Sequence, residues 1–115
     1  MTQTARIDKR QYKRVILGRL TLDLYSGSYL AQVLHRKLPC IRMWERNKVI
    51  PKPVVQTKDG WRWYTKEEID IYERLVEEEQ VKNGSNIAKT DFTKRVFGEI
   101  AAFRTRLLKE AGVKL

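Results

Sequence analysis

Between Val54 and Ile69 the chain reads VVQTKDGWRWYTKEEI, a stretch crowded with chemically capable side chains. Trp61, Arg62, Trp63 and Tyr64 follow a Lys58-Asp59-Gly60 turn. A guanidinium and a phenol are good donors to phosphate oxygens, and the indoles offer flat apolar surface. A core would take the aromatics but not the cations, so the combination points to a polyanion. Side chains for bond-making chemistry are missing. The chain has one histidine, His35, and one cysteine, Cys40. It lacks a Ser/His/Asp set, a glycine-rich phosphate loop and a His/Cys metal cluster, so no catalytic residue, metal or cofactor is expected.

Charge supports the same partner. The 115 residues carry 24 Lys and Arg against 14 Asp and Glu, a formal net charge of +10. Residues 27–66 hold nine basic and two acidic side chains, whereas residues 67–82 hold two and seven. A basic face followed by an acidic helix suits a polyanion better than diffuse solubility charge does, and double-stranded DNA is the expected partner. The length favours one compact domain with a modest core. No apolar run approaches the roughly 20 residues of a membrane span, so no membrane association is expected. The start, MTQTARIDKR, lacks the apolar centre of a secretory signal. With a single cysteine, a cytoplasmic location is expected, in the bacterial host if the protein is phage-encoded.

Elements must position these residues. Residues 1–19 read as a basic N-terminal arm or helix, with weak periodicity from Ile7, Val15 and Ile16. Leu20, Leu22 and Leu24 then alternate with Thr21 and Asp23, the period of a half-buried strand. Ser26 or Ser28 can cap a helix whose Leu30, Val33 and Leu34 share one face. In LPCIRMWERN, Pro39 suits a first helical turn and Asn47 a stop. Between them Ile41 and Trp44 would face inward, and Arg42, Met43 and Arg46 outward. Two short helices around a tight turn make a helix-turn-helix whose second helix displays cations on its free face. Arg36 and Lys37, near that turn, are expected at backbone phosphates.

Pro51 and Pro53 bias the next segment to extended geometry, and Asp59-Gly60 signals a hairpin. On its second strand Trp61 and Trp63 share one face, packing or lying over the DNA backbone, and Arg62 and Tyr64 share the other. Lys58 sits at the tip. Thr65 opens an acidic helix with a capping box to Glu68. Asn83 to Asn86 stop it, and residues 83–89 read as a linker. In residues 90–115, Phe92, Val96, Ile100, Phe103 and Leu107 recur at helical spacing. That stripe can pack on its own domain or join copies. Because a winged helix of roughly 60 residues can close its own core, oligomerisation is expected, as a homodimer or higher homo-oligomer. The expected fold is mainly α with a small β-hairpin: a winged helix-turn-helix over residues 20–82 plus a C-terminal amphipathic helix.

Roughly residues 20–80 resemble the DNA-binding domain of MerR-type regulators. The resemblance is carried by Leu30-Ala31, by IRMWE from Ile41 to Glu45, by KVIP from Lys48 to Pro51, and by GWRWYTKEEID from Gly60 to Asp70. It implies DNA contacts from Arg42, Arg62 and Tyr64. Met43 stands where the family usually has Tyr, and His35-Arg36-Lys37 where Gly-Val-Ser is common. No ligand-sensing domain is expected, which makes the chain similar in shape to small phage or mobile-element DNA-binding proteins. The expected function is sequence-specific double-stranded DNA binding in transcription regulation. The alternative is site recognition for phage DNA packaging (a terminase small subunit) or for excision, with a phage or host protein as further partner. A third reading is an accessory factor that binds RNA or a host protein without reading a groove.

Overall fold

The computed structural model describes residues 11–53, 55–56, 62–81 and 90–113, with backbone alone at 55–56. The first ten residues, the hairpin tip with Lys58 and Trp61, and the 83–89 linker lie outside that set.

Residues 12–17, expected within an arm or helix, form strand β1 (Tyr12–Leu17), which pairs antiparallel with β2 (Leu20–Ser26). Tyr12, Val15 and Ile16 favour extended backbone. Gly18 is the first of two turn residues and has φ +57°, where a type II′ hairpin turn takes glycine. Ser26 caps α1 (Gly27–Val33), its Oγ accepting from the Tyr29 amide at 3.1 Å. Then α2 (Leu38–Arg46) starts with Pro39 in its first turn and closes at Asn47, as the sequence indicates.

Strands β3 (Val55–Gln56) and β4 (Arg62–Thr65) complete an antiparallel sheet in the order β1-β2-β4-β3. The sheet is therefore larger than the small hairpin expected, in a mixed α/β fold that stays mainly helical. Thr65 opens α3 (Lys66–Glu78) through the expected capping box. The Glu68 amide donates to Thr65 Oγ1 at 3.1 Å, and the Thr65 amide donates to Glu68 Oε1 at 3.2 Å. Such a cap contributes about 1 kcal/mol.

The first three helices close alike. His35, Lys48 and Gln80 follow α1, α2 and α3 with φ of 56°, 59° and 54°. The next amide reaches back each time: Arg36 to Ala31 O at 2.8 Å, Val49 to Trp44 O at 2.7 Å, and Val81 to Val76 O at 2.9 Å. This closure favours glycine at the left-handed residue, so each of these side chains sits there at a backbone cost.

The last helix, α4 (Phe92–Ala111), runs antiparallel along α3. Arg104 meets Glu68 near the start of α3, and Arg95 meets Glu78 and Glu79 at its end. Phe92, Val96 and Ile100 are fully buried, and Phe103 and Leu107 nearly so. The expectation that this stripe joins copies is thereby corrected: the chain's own core covers it. Phe92 tilts against Trp44 of α2 with ring centroids 5.4 Å apart, so the helix-turn-helix does not close its core without α4. The far end of α4 is tied to the β1–β2 turn, where the Arg19 amide donates to Ala111 O at 3.0 Å. Among the described residues no helix is long and apolar enough to cross a membrane.

Candidate nucleic-acid interface

The short α2 sorts its side chains by face. Ile41 and Trp44 point into the core. Pro39, Arg42, Met43 and Arg46, spaced i, i+3, i+4 and i+7, form one exposed stripe. Met43 is 42% exposed, unusual for a large apolar side chain here. Lys37 is exposed at the N-cap, and Lys48 and Lys52 are exposed just beyond the other end.

The described cations fall into two groups. Arg14 pairs with Asp23, Lys66 with Asp70, Arg74 with Glu78 and Glu99, and Arg95 with Glu78 and Glu79. Arg104 pairs with the buried carboxylate of Glu68 at 2.7 Å. Lys37, Arg42, Arg46, Lys48 and Lys52 have no ion-pair partner among the described residues, and all five lie between the turn before α2 and the extended segment after it. Lys94, Arg106 and Lys109 are also without one, but they spread along α4 among Glu99 and Glu110, and so are Lys13 and Arg19 of the β1–β2 hairpin, where Lys13 lies over the Trp63 ring and Arg19 donates to Glu110 O. Uncompensated cations concentrated in one exposed segment keep the potential around it positive and draw polyanions toward it.

Other expected contacts are placed differently. Arg36 is half-buried: its Nη2 donates to Val81 O at 2.5 Å and its guanidinium lies 5.3 Å from the Trp44 ring centroid. It joins the α1–α2 turn to the end of α3. Arg62 is paired with Glu45, and both side chains are largely buried, so it ties β4 to α2 rather than reaching outward. Tyr64 is a clear correction. It is fully buried, edge-on to Tyr72 with centroids 6.1 Å apart, so it cannot present its hydroxyl to a duplex. Burial, then the nearby Glu45 carboxylate, pushes the pKa of that hydroxyl far above its ordinary value. Arg62 and Tyr64 do share a face of β4, but that face is the one turned to the helices. Trp63 also packs, with Lys13 Nζ 4.6 Å over its ring. Lys58 lies outside the described residues. Burial raises the pKa of the half-buried Cys40 thiol, which keeps it protonated at neutral pH.

Lys48 and Lys52 are the additions that sequence reasoning missed. Their signal was present in NKVIPKP, where two cations flank the helix stop and the prolines. No family model matches the chain, and no curated protein or solved structure matches it.

Proposed function

We propose that this chain is a sequence-specific double-stranded DNA-binding protein of the winged helix-turn-helix type, acting in transcription and without a catalytic centre. The observation that carries the reading is the exposed α2 stripe, which holds Arg42 and Arg46 and is bracketed by Lys37, Lys48 and Lys52, five cations without an ion-pair partner among the described residues. A major groove admits one α-helix. In this reading α2 enters it with Arg42 and Met43 foremost. The guanidinium of Arg42 matches the paired acceptors of guanine, and Met43 offers an apolar contact to a thymine methyl. Lys37, Arg46, Lys48 and Lys52 meet phosphates to either side and fix the register. The β3–β4 hairpin is the wing, held against α2 by the Arg62–Glu45 pair. Of the DNA contacts that the MerR-type resemblance implies, this arrangement keeps Arg42, whereas Arg62 and Tyr64 are internal. A duplex is favoured over a single strand because Trp63 and Tyr64, the described hairpin aromatics, are buried and present no ring for base stacking.

The test is selection from a random duplex library with the full chain at about 150 mM salt, which suppresses much phosphate-only binding. Arg42→Ala, Lys52→Ala and Arg14→Ala run beside the parent. The expected result is one enriched site, relaxed by Arg42→Ala and unaffected by Arg14→Ala. Uniform weak enrichment, lowered equally by Arg42→Ala and Lys52→Ala, would mean backbone attachment without reading. Absence of duplex binding would overturn the proposal.

A further inference from the structure

A groove of about 370 Å³ opens where the end of α2 faces α4. Its floor is Ile50, Pro51 and Phe97, and its rim is Arg46, Lys48 and Lys52. Phe97 is 39% exposed, whereas Phe92 and Phe103 on the same helix are buried. Nothing lies within 4 Å of where a Cβ on Gly98 would stand, so the helix is open beside Phe97. The rim cations have no ion-pair partner among the described residues. Glu45, also on the wall, has its carboxylate matched by Arg62. An apolar floor thus sits under an uncompensated positive rim.

We propose that this groove docks an acidic peptide of a partner protein, a short segment in which an apolar side chain is flanked by carboxylates. The apolar side chain lies against Phe97, Ile50 and Pro51, and the carboxylates meet Arg46, Lys48 and Lys52. The volume is near the low end of the roughly 300–1,000 Å³ of ligand sites, which suits one large side chain. Two other polyanions leave the apolar floor unfilled, although a duplex that holds Arg46, Lys48 and Lys52 at its phosphates competes with the peptide for the rim. A duplex backbone supplies charge but no apolar anchor, and its stiffness keeps it from following a small concavity. The outer face of α3 in a second copy supplies Glu67, Glu73 and Glu77, but its exposed residues include no apolar side chain.

The probe is a fluorescein-labelled peptide, DEDFEELD, with a control in which its Phe and Leu are both serine, titrated into the full chain without DNA. The apolar peptide is expected to bind at least tenfold tighter than the control. Phe97→Ser should abolish that difference. Lys48→Gly should weaken both peptides at least fivefold while leaving Tm unchanged or higher, which separates lost binding from lost folding. Arg42→Ala should change neither peptide. Equal affinity for the two peptides would overturn the proposal in favour of plain charge attraction. If Phe97→Ser instead weakens duplex binding, the groove belongs to the DNA face. If it instead abolishes concentration-dependent self-association, the occupant is a second copy. The peptide arm contains no DNA, so its failure leaves the DNA reading intact, and failure of the duplex selection leaves the peptide result intact.

Discussion

A tyrosine hydroxyl buried without a hydrogen-bond partner loses its hydration, a cost of about 1–3 kcal/mol. Tyr64 and Tyr72 each carry such a hydroxyl among the described residues. Tyr64→Phe removes the oxygen and keeps the ring against Tyr72. The expected result is an unfolding free energy, from urea melts, unchanged or raised by up to about 1 kcal/mol, with DNA affinity unchanged. A large loss of affinity would return Tyr64 to the interface. Arg104 predicts the opposite sign. Its Nε donates to the fully buried Glu68 at 2.7 Å, and its Nη2 donates to Lys52 O at 2.7 Å. Arg104→Ala strands a buried carboxylate and should cost about 3 kcal/mol in the same melts. Arg104→Lys should recover only part, because one ammonium does not reproduce a two-pronged guanidinium. At the proposed DNA face, Arg42→Ala should cost about 1–3 kcal/mol of discrimination between sites, read as relaxed preference at one base position.

Among the elements, the β1–β2 hairpin and α4 carry the most exposed dependencies. A Cβ on Gly18 would stand 2.1 Å from Ala111 O, and its φ of +57° is unfavourable for alanine by about 1–2 kcal/mol. Gly18→Ala should therefore lower Tm and speed hydrogen exchange at the Arg19 amide, which bonds to Ala111 O. Normal protection at that amide would show that the turn and α4 are not coupled. Ile100→Ala should cost about 2–5 kcal/mol, with a Tm independent of protein concentration in parent and variant alike. A Tm that rises with concentration would mean that copies meet through this helix. Parts of these elements were legible in the sequence because their signals are local. The sorted faces of α2, the Leu20–Leu24 alternation and the Thr65–Glu68 box each lie within a few consecutive residues. The rest needed long-range information. In β1 both faces mix charge and apolar surface, Lys13 with Val15 on one and Arg14 with Ile16 on the other, so neither period shows. Alternation put Arg62 and Tyr64 together but said nothing of which face meets the helices. The α4 stripe announced an amphipathic helix without saying whose core it fills.

Across the whole molecule, the charge is partitioned rather than merely positive. Arg74 and Arg95 meet Glu78, Glu79 and Glu99 along the α3–α4 contact, which leaves the α2 side unbalanced. Duplex affinity should accordingly fall with salt, with a log–log slope of about −0.9 per phosphate neutralised. Lys48→Ala and Lys52→Ala should each flatten that slope by about 1, and Arg95→Ala should not. The same partition fixes the response to acid. Hydrogen bonds from Tyr12 and then Arg14 hold the Asp23 carboxyl below its ordinary value, and a hydrogen bond from Arg95 does so for Glu78. A carboxyl with a depressed folded pKa stabilises the fold above its unfolded pKa, near 4, and loses that contribution as pH falls through the folded value. Tm should hold nearly level from about pH 7 to 5 and drop below about pH 4, where protonation also raises the net charge above +10. Glu78→Gln should lower Tm at neutral pH and make the acid drop shallower, since the variant has less left to lose. Added salt should shallow the drop as well, because these pairs are exposed and screened. Tm rising on acidification, or an acid drop unchanged by Glu78→Gln, would mean that the α3–α4 pairs contribute nothing to the fold and that the partition serves binding alone.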